Sequence, residues 1–530
     1  MRNLRRFGDG AKFGWKYFVP FPHIFLLTVV INLSHASSSA GGPRSYQDGD
    51  LRFFNWTTKE IQRAEKVLTA PDYFHKPEPF EALSAGAAST RRRATKNAFS
   101  DPSATIPFSG ELDFKVGNGL FKKLWVSSPS STLASDGLGP LFNSRSCQSC
   151  HIKDGRGHPP LNHDDGSVSM VLGLYQLMHH EDLSNSFGVG KLYKTFPDPN
   201  YGSQIQDLSV AGLLSEGKIR VDYKQTKTMI RGEGTFWLRE PTYQSSDLNY
   251  GALDPKTSVS ARVAPQMIGL GLLEAIPSEQ IISRADPADT DADGISGIAR
   301  LIFSTEHSQY LLGRFGHKAD AATIRQQVAK AAHIDLGLSN PLYSTPWGDC
   351  TESQERCLNA EHGVDDARDG LEVDEVGLQL LTFYSRNLGV PRRADVSSSN
   401  VLAGKSLFYA AKCDSCHHPK YVTHRLVDQP EQNFQLIWPY TDLLLHDMGD
   451  GLADKGANSA LAREWRTAPL WGIGLTQQVS GHSYFLHDGR ARNLTEAILW
   501  HGGEAKKSRD KFANMTTEER QQLLTFLKSL

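Results

Sequence analysis

Three things are scarce in this chain, and each scarcity closes off a class of function. Charge of one sign is scarce: 57 Lys and Arg stand against 59 Asp and Glu, a net charge of −2. That balance offers no basic face for nucleic acid. Long apolar runs are scarce as well. The N-terminal run Ile24-Phe25-Leu26-Leu27-Thr28-Val29-Val30-Ile31-Asn32-Leu33 falls well short of the roughly 20 residues that cross a membrane. Cysteine is scarce, with six among 530 residues. A chain of this length builds two or three domains on hydrophobic cores rather than on disulfides.

What is present begins with those cysteines. Four of them form two copies of C-x-x-C-H, Cys147-Gln148-Ser149-Cys150-His151 and Cys413-Asp414-Ser415-Cys416-His417. This is the sequence that receives a covalently attached c-type haem. Two thiols three positions apart each form a thioether to one edge of the porphyrin, and the adjacent His offers its imidazole to the iron. A structural zinc site needs a second ligand pair nearby, and the chain has no further C-x-x-C. A thioredoxin-like dithiol needs a βαβ setting, which the flanking pattern lacks. The expectation is two haem c groups, with His151 and His417 as proximal metal ligands.

The first residues read as a secretory signal. Arg2, Arg5, Arg6, Lys12 and Lys16 precede the apolar run, and Ser34-His35-Ala36 supplies small residues for cleavage. The expected signal spans 1–36, and only an uncleaved signal would tie the chain to a membrane. An exported chain lies in the periplasm or a similar oxidising space. There Cys350 and Cys357 most simply form a local disulfide.

Residues 37–96 carry weak periodicity and read as poorly structured, apart from a short helix at 60–68. Ordered elements then recur. Leu141-Phe142 stands four residues before Cys147, and Leu407-Phe408 four before Cys413. Arg262-Val263-Ala264-Pro265 precedes Gly269-Leu270-Gly271-Leu272, and Arg466-Thr467-Ala468-Pro469 precedes Gly472-Ile473-Gly474-Leu475. The recurrence predicts two related haem modules, 97–390 with long insertions and 395–530. Apolar spacing predicts a helix over 373–388, with Gly389 and Pro391 beyond it. It also predicts a final helix opened by the Thr516/Glu519 capping box, with Leu523, Phe526, Leu527 and Leu530 on one face. The fold class expected is mainly α: two cytochrome c-like modules with loops around the haems. Asp289, Asp291 and Asp293 before Gly294 open like a calcium loop, but Arg300 occupies the place of the closing Glu. The sequence leaves Ca2+ and a plain acidic turn both open.

Further motifs carry a resemblance. Leu443 to Gly449, Arg466 to Leu470, Phe485-Leu486-His487-Asp488-Gly489-Arg490 and Leu494 to Gly503 look like the di-haem oxidoreductase family. Its members are labelled peroxidases or thiol oxidoreductase-like proteins. Asp154-Gly155-Arg156-Gly157, Gly269 to Ile276 and Gly313-Arg314-Phe315-Gly316 extend the match into the first module. More distantly the chain is similar to bacterial di-haem cytochrome c peroxidases.

The resemblance implies more than the haem motifs do. Laid on the distant peroxidases, His501 takes the place of their axial Met, so the second iron is expected between His417 and His501, with Met448 as the alternative. Two nitrogen ligands suit electron transfer. His446 and His487 are expected at propionates or backbone. The sixth ligand of the first iron stays open between His158, His163 and an empty position that could accept peroxide. Glu274 falls where related peroxidases keep a proton-moving group, and Arg262 could meet a propionate or a bound oxygen. The implied activity is a periplasmic peroxidase reducing hydrogen peroxide. A small cytochrome c or cupredoxin would deliver electrons at the second haem, to be passed to the first. A plain two-haem electron carrier and an oxidase of thiol or protein substrates are the alternatives.

Overall fold

The structure is a computed structural model that describes residues 44–45, 51–91, 95–162, 165–166, 169–182, 191–364, 366–456 and 459–530. The signal expected at 1–36 and His163 lie outside the described residues. Residues 42–530 form one compact unit. Its helices include α1 (Thr58–Leu68), α2 (Gly110–Lys122), α3 (Cys147–Cys150), α4 (Ile324–Leu336), α5 (Glu375–Arg386), α6 (Ser399–Ala410), α7 (Leu494–Leu499), α8 (Lys506–Asn514) and α9 (Thr517–Ser529). Among the described residues no helix is long and apolar enough to cross a membrane.

Each module is built on one helix crossing, and a glycine makes each crossing possible. In the first module α2 crosses α5 at Gly117, where a Cβ would stand 2.3 Å from Leu380 O and 2.7 Å from Tyr384 Cβ. In the second, α6 crosses α9 at Gly404, where a Cβ would stand 2.0 Å from Gln522 O. Phe408 and Phe526 then meet with ring centres 5.3 Å apart. The helix before each C-x-x-C-H thus packs on the last helix of its module. The predicted capping box at Thr516 and Glu519 is present and starts α9.

The expectation of a mainly α fold is wrong. Among the described residues helix accounts for 30% and strand for 21%. The reason lies in the insertion between Cys150 and Ala264. It contains β1 (Met170–Asp182), β2 (Lys191–Phe196), β3 (Lys218–Ile230), β4 (Gly234–Ser246) and β5 (Ser258–Val263). Segments such as Lys-Ile-Arg-Val-Asp-Tyr at 218–223 alternate polar with apolar, the period of a half-buried strand. β3 and β4 form a long antiparallel hairpin, register Gly234 with Ile230 through Ser246 with Lys218. With β6 (Arg300–Ser304) and β7 (Gln309–Leu312), the others form a five-stranded sheet in the order β5-β1-β2-β6-β7. Only the β2–β6 contact in it is parallel.

Each module has its own core, around Phe121, Leu381 and Tyr384 in the first and around Phe408, Trp438 and Phe526 in the second. A third core, with Phe99, Ile268, Leu444 and Trp471, joins them. The modules also grip one another reciprocally. Val263 N–H in the first Arg-x-Ala-Pro donates to His487 O of the second module at 2.8 Å, and Arg466 N–H in the second donates to His317 O of the first at 2.9 Å. The segment before Ala98 joins this frame. Glu81 is buried against Arg393 (2.7 Å) and Lys405 (2.9 Å).

Candidate functional site

One cavity of about 1040 Å³ runs between the modules and is bordered by both C-x-x-C-H motifs. Single small-molecule sites commonly span about 300–1,000 Å³, so this space lies at the upper end of that range, and it is the two motifs on its border that point to two groups. Cys147, Cys150, Cys413 and Cys416 are all free of disulfides and line it. Their sulfurs border the cavity yet lie deep in the protein, and burial pushes the thiols of Cys147, Cys150 and Cys413 up to about 12. They are therefore not primed as thiolate nucleophiles. Cys350 and Cys357 are joined to each other by a disulfide.

Each candidate ligand imidazole is oriented by a backbone carbonyl. His151 Nδ1 lies 2.7 Å from Pro265 O, His417 Nδ1 3.0 Å from Tyr440 O, and His501 Nδ1 2.7 Å from Ala497 O. A carbonyl accepts, so Nδ1 carries the proton and Nε2 keeps its lone pair for a metal. Burial lowers the pKa of His151 and of His417 to about 4 and lowers that of His501. All three are neutral at physiological pH, the state a ligand needs.

The rings of His417 and His501 face one another with centres 6.5 Å apart. A metal midway between two imidazole nitrogens, about 2 Å from each, sets ring centres about 6.2 Å apart. The pair therefore fits a single iron held from both sides. Met448 also borders the cavity. His446 is occupied elsewhere, its ring bridging Asp442 (2.8 Å) and Glu504 (2.6 Å). Burial opposes its charge, but contact with Cys416 and Asp442 carries its pKa well above the usual value. His487 stacks on Trp465 at 3.5 Å, and Lys318 Nζ stands 3.5 Å from the Trp465 ring.

Cations outnumber carboxylates among the residues that line the cavity. Arg156 donates to Tyr484 O and Leu486 O, and Arg466 to Gly316 O and Thr467 O. Burial lowers both to about 10. Asp488 supports the charge of Arg156, and Asp320 and Asp442 that of Arg466; buried cations favour further anions, and haem propionates are anions this donor set would take. Arg262 also borders the cavity but already meets Asp320 at 3.3 Å. These observations agree in fitting two haems.

Two sequence expectations do not meet the cavity. Glu274 is buried on its far wall, with Oε1 accepting from Ile324 N–H at 2.8 Å and Oε2 paired with Arg386 Nε at 3.0 Å. It borders a separate polar pocket and not the haem cavity. His158 is not among the cavity's lining residues either; its ring faces His482 at 5.5 Å. In the acidic loop, carboxylates of Asp286, Asp289 and Asp291 lie within 4.8 Å of one another, while Asp293 turns back to Ile295 N–H. Calcium takes about six to eight oxygens, so these three carboxylates would need backbone carbonyls or water to complete a site, and the acidic-turn reading stands beside it.

The structure also exposes a repeat that the sequence hides. Phe315 bridges Ala321, and Phe485 bridges Ala491. Two residues on, Thr323 caps α4 and Asn493 caps α7. Gln326 Oε1 accepts from Ala322 N–H, and Glu496 Oε2 from Arg492 N–H. Every partner in the second module is numbered 170 higher than its counterpart. At that offset His501 corresponds to Ala331, and both border the cavity. Few identities mark the repeat. The signal available in sequence was the shared spacing of Phe, His and helix cap.

Residues 81–174 and 217–530 match the family model described as "Di-haem oxidoreductase, putative peroxidase". No curated protein matches the chain. Among solved structures, a hydrazine synthase of Kuenenia stuttgartiensis pressurised with 20 bar xenon aligns over 87% of this chain and 96% of its own, at 13% identity and a TM-score of 0.30. That likeness is too slight to transfer structure or chemistry.

Proposed function

The chain belongs to the di-haem oxidoreductase family, and from that premise we propose a periplasmic peroxidase that reduces hydrogen peroxide at its first site with electrons received at its second. Cys147, Cys150 and His151 would hold one haem c. Cys413 and Cys416 would hold the other, between His417 and His501. Bound there, the haems supply one-electron redox chemistry and, where a coordination position is free, a place for peroxide.

The observation that carries this reading is Ala331. Carried on from the matched bridges and caps, the offset of 170 pairs it with His501, and a methyl group cannot ligate. The second site would then be closed on both sides, which suits electron transfer, while among the described residues this reading assigns the first no ligand beyond His151. Around Ala331, α4 turns Gln327, Lys330 and Asp335 to the same cavity. Breaking the O–O bond requires a proton to pass from one peroxide oxygen to the other. Burial pushes the Asp335 carboxyl up to about 6, although Gln204 donates to it at 2.7 Å. It can hold or release a proton near neutral pH, and it borders the cavity, which Glu274 does not. Arg156 and Arg466 would receive propionates and fix the groups' orientation.

Electrons would enter where Cys413 lies part-buried beside the exposed Lys412. A small cytochrome c or cupredoxin is the proposed donor. The Cys350–Cys357 disulfide supports an oxidising compartment.

Ala331→His tests the reading by supplying the missing ligand. The variant is expected to turn a high-spin ferric signal low-spin and to slow peroxide reduction by roughly 100-fold or more. Unchanged turnover with an unchanged spectrum would overturn it.

A further inference from the structure

β2 and β6 run side by side for only two residue pairs, Lys191 with Arg300 and Leu192 with Leu301. Beyond them, β2 pairs only with β1 and β6 only with β7. The two strands part, and side chains from both banks of the split border the haem cavity. Lys194 and Phe196 come from one bank, and Phe303 and Tyr310 from the other. Phe196 is 39% exposed, Phe303 52% and Tyr310 46%. One exposed aromatic needs no explanation. Three around the opening of a buried cavity mark a binding site.

Two lysines stand at this opening beside one carboxylate, Asp320. Lys194 Nζ lies 6.0 Å from the centre of the Phe196 ring. Lys330 Nζ reaches Asp320 at 3.6 Å, but that carboxylate is shared with Arg262. Phe303 and Tyr310 meet edge to face at 5.6 Å, and both stay about half exposed. Lys330 is also the immediate neighbour of Ala331.

We propose that this slot binds a small aromatic reductant bearing an acidic group, of the phenolic carboxylate class, next to the first haem site. The assignment rests on the peroxidase reading above. The occupant is small because the aromatics edge an opening into a cavity rather than pave a flat face. Its ring packs against Phe196 and Phe303, and its carboxylate meets Lys194 and Lys330. For each peroxide, two phenols each give up one electron and one proton and become phenoxyl radicals. The peroxide takes up both electrons and both protons, its O–O bond breaks, and two waters form.

The test titrates 4-hydroxybenzoate into the ferric holoprotein without peroxide and follows binding by calorimetry. Saturable binding is expected. A Phe196→Ser, Phe303→Ser double variant should weaken it roughly 10-fold, and cyclohexanecarboxylate, with the charge but no aromatic ring, should bind roughly 10-fold more weakly than the probe. Absence of saturable binding, or equal binding by the variant, overturns the slot. Peroxide consumption is then measured with 4-hydroxybenzoate and with a reduced small cytochrome. Consumption with the cytochrome while 4-hydroxybenzoate is neither bound nor oxidised defeats the slot and leaves the peroxidase standing. Tight, variant-sensitive binding with no peroxide consumed from either donor defeats the peroxidase reading and the reductant role together.

Discussion

Replacing His501 by Ala probes the second site directly. The ring lies 6.5 Å from that of His417, and its Nδ1 is held 2.7 Å from Ala497 O. Truncation removes that hydrogen bond, about 1 kcal/mol, from a side chain that borders the cavity. A net loss of about 1 kcal/mol is expected in urea denaturation of the haem-free chain. In the holoprotein the larger effect is electronic. The second iron loses one of two nitrogen ligands, its ferric signal turns high-spin, and its potential rises. Low-temperature EPR and spectroelectrochemistry read both changes. Added imidazole should enter the space left behind and restore the low-spin signal. If the second site stays low-spin in the variant without imidazole, His501 is not its ligand, and Met448 becomes the residue to replace.

Two further expectations concern buried charge. Glu464 is buried and, through burial and the nearby Glu504 and Asp447, its pKa is pushed up to about 7; its Oε2 has no hydrogen-bond partner. The folded chain therefore holds a proton there that the unfolded chain releases near pH 4.5, and stability is lost as pH rises from about 4.5 to 7. Glu464→Gln should match the parent near pH 4.5 and exceed it by about 3 kcal/mol at pH 8 in urea titrations; a constant difference across that range would contradict the assignment. Glu81→Ala leaves Arg393 and Lys405 buried with one carboxylate fewer and should cost about 3–5 kcal/mol. A loss below about 1 kcal/mol in the same assay would show that the segment before Ala98 is not locked to the second module.

The sequence made the haem chemistry legible because covalent attachment demands fixed spacing: Cys147, Cys150 and His151 and their second-module counterparts need no fold to be recognised. The Thr516–Glu519 cap was legible because it depends on local pattern. Fold class was not, because the strands at 170–182 and 258–263 find their partners across long stretches of chain, and no local pattern specifies such pairing. Glu274 follows an Arg-x-Ala-Pro segment in sequence, but α5 carries Arg386 to it and Ile324 N–H caps it, so it turns from the cavity. Ala331 carries no chemical signal of its own. It gains meaning only when the Phe315–Ala321 and Phe485–Ala491 bridges place it opposite His501.

The central claim is that one site is closed and the other open. EPR and optical spectra of the ferric and half-reduced holoprotein, with and without one equivalent of hydrogen peroxide, test it most directly. The account predicts one low-spin and one high-spin haem, with the high-spin signal consumed by peroxide and assigned to His151 by its loss in a Cys147→Ala, Cys150→Ala variant. Two low-spin haems at every stage, both inert to peroxide, would contradict it and make the protein an electron carrier.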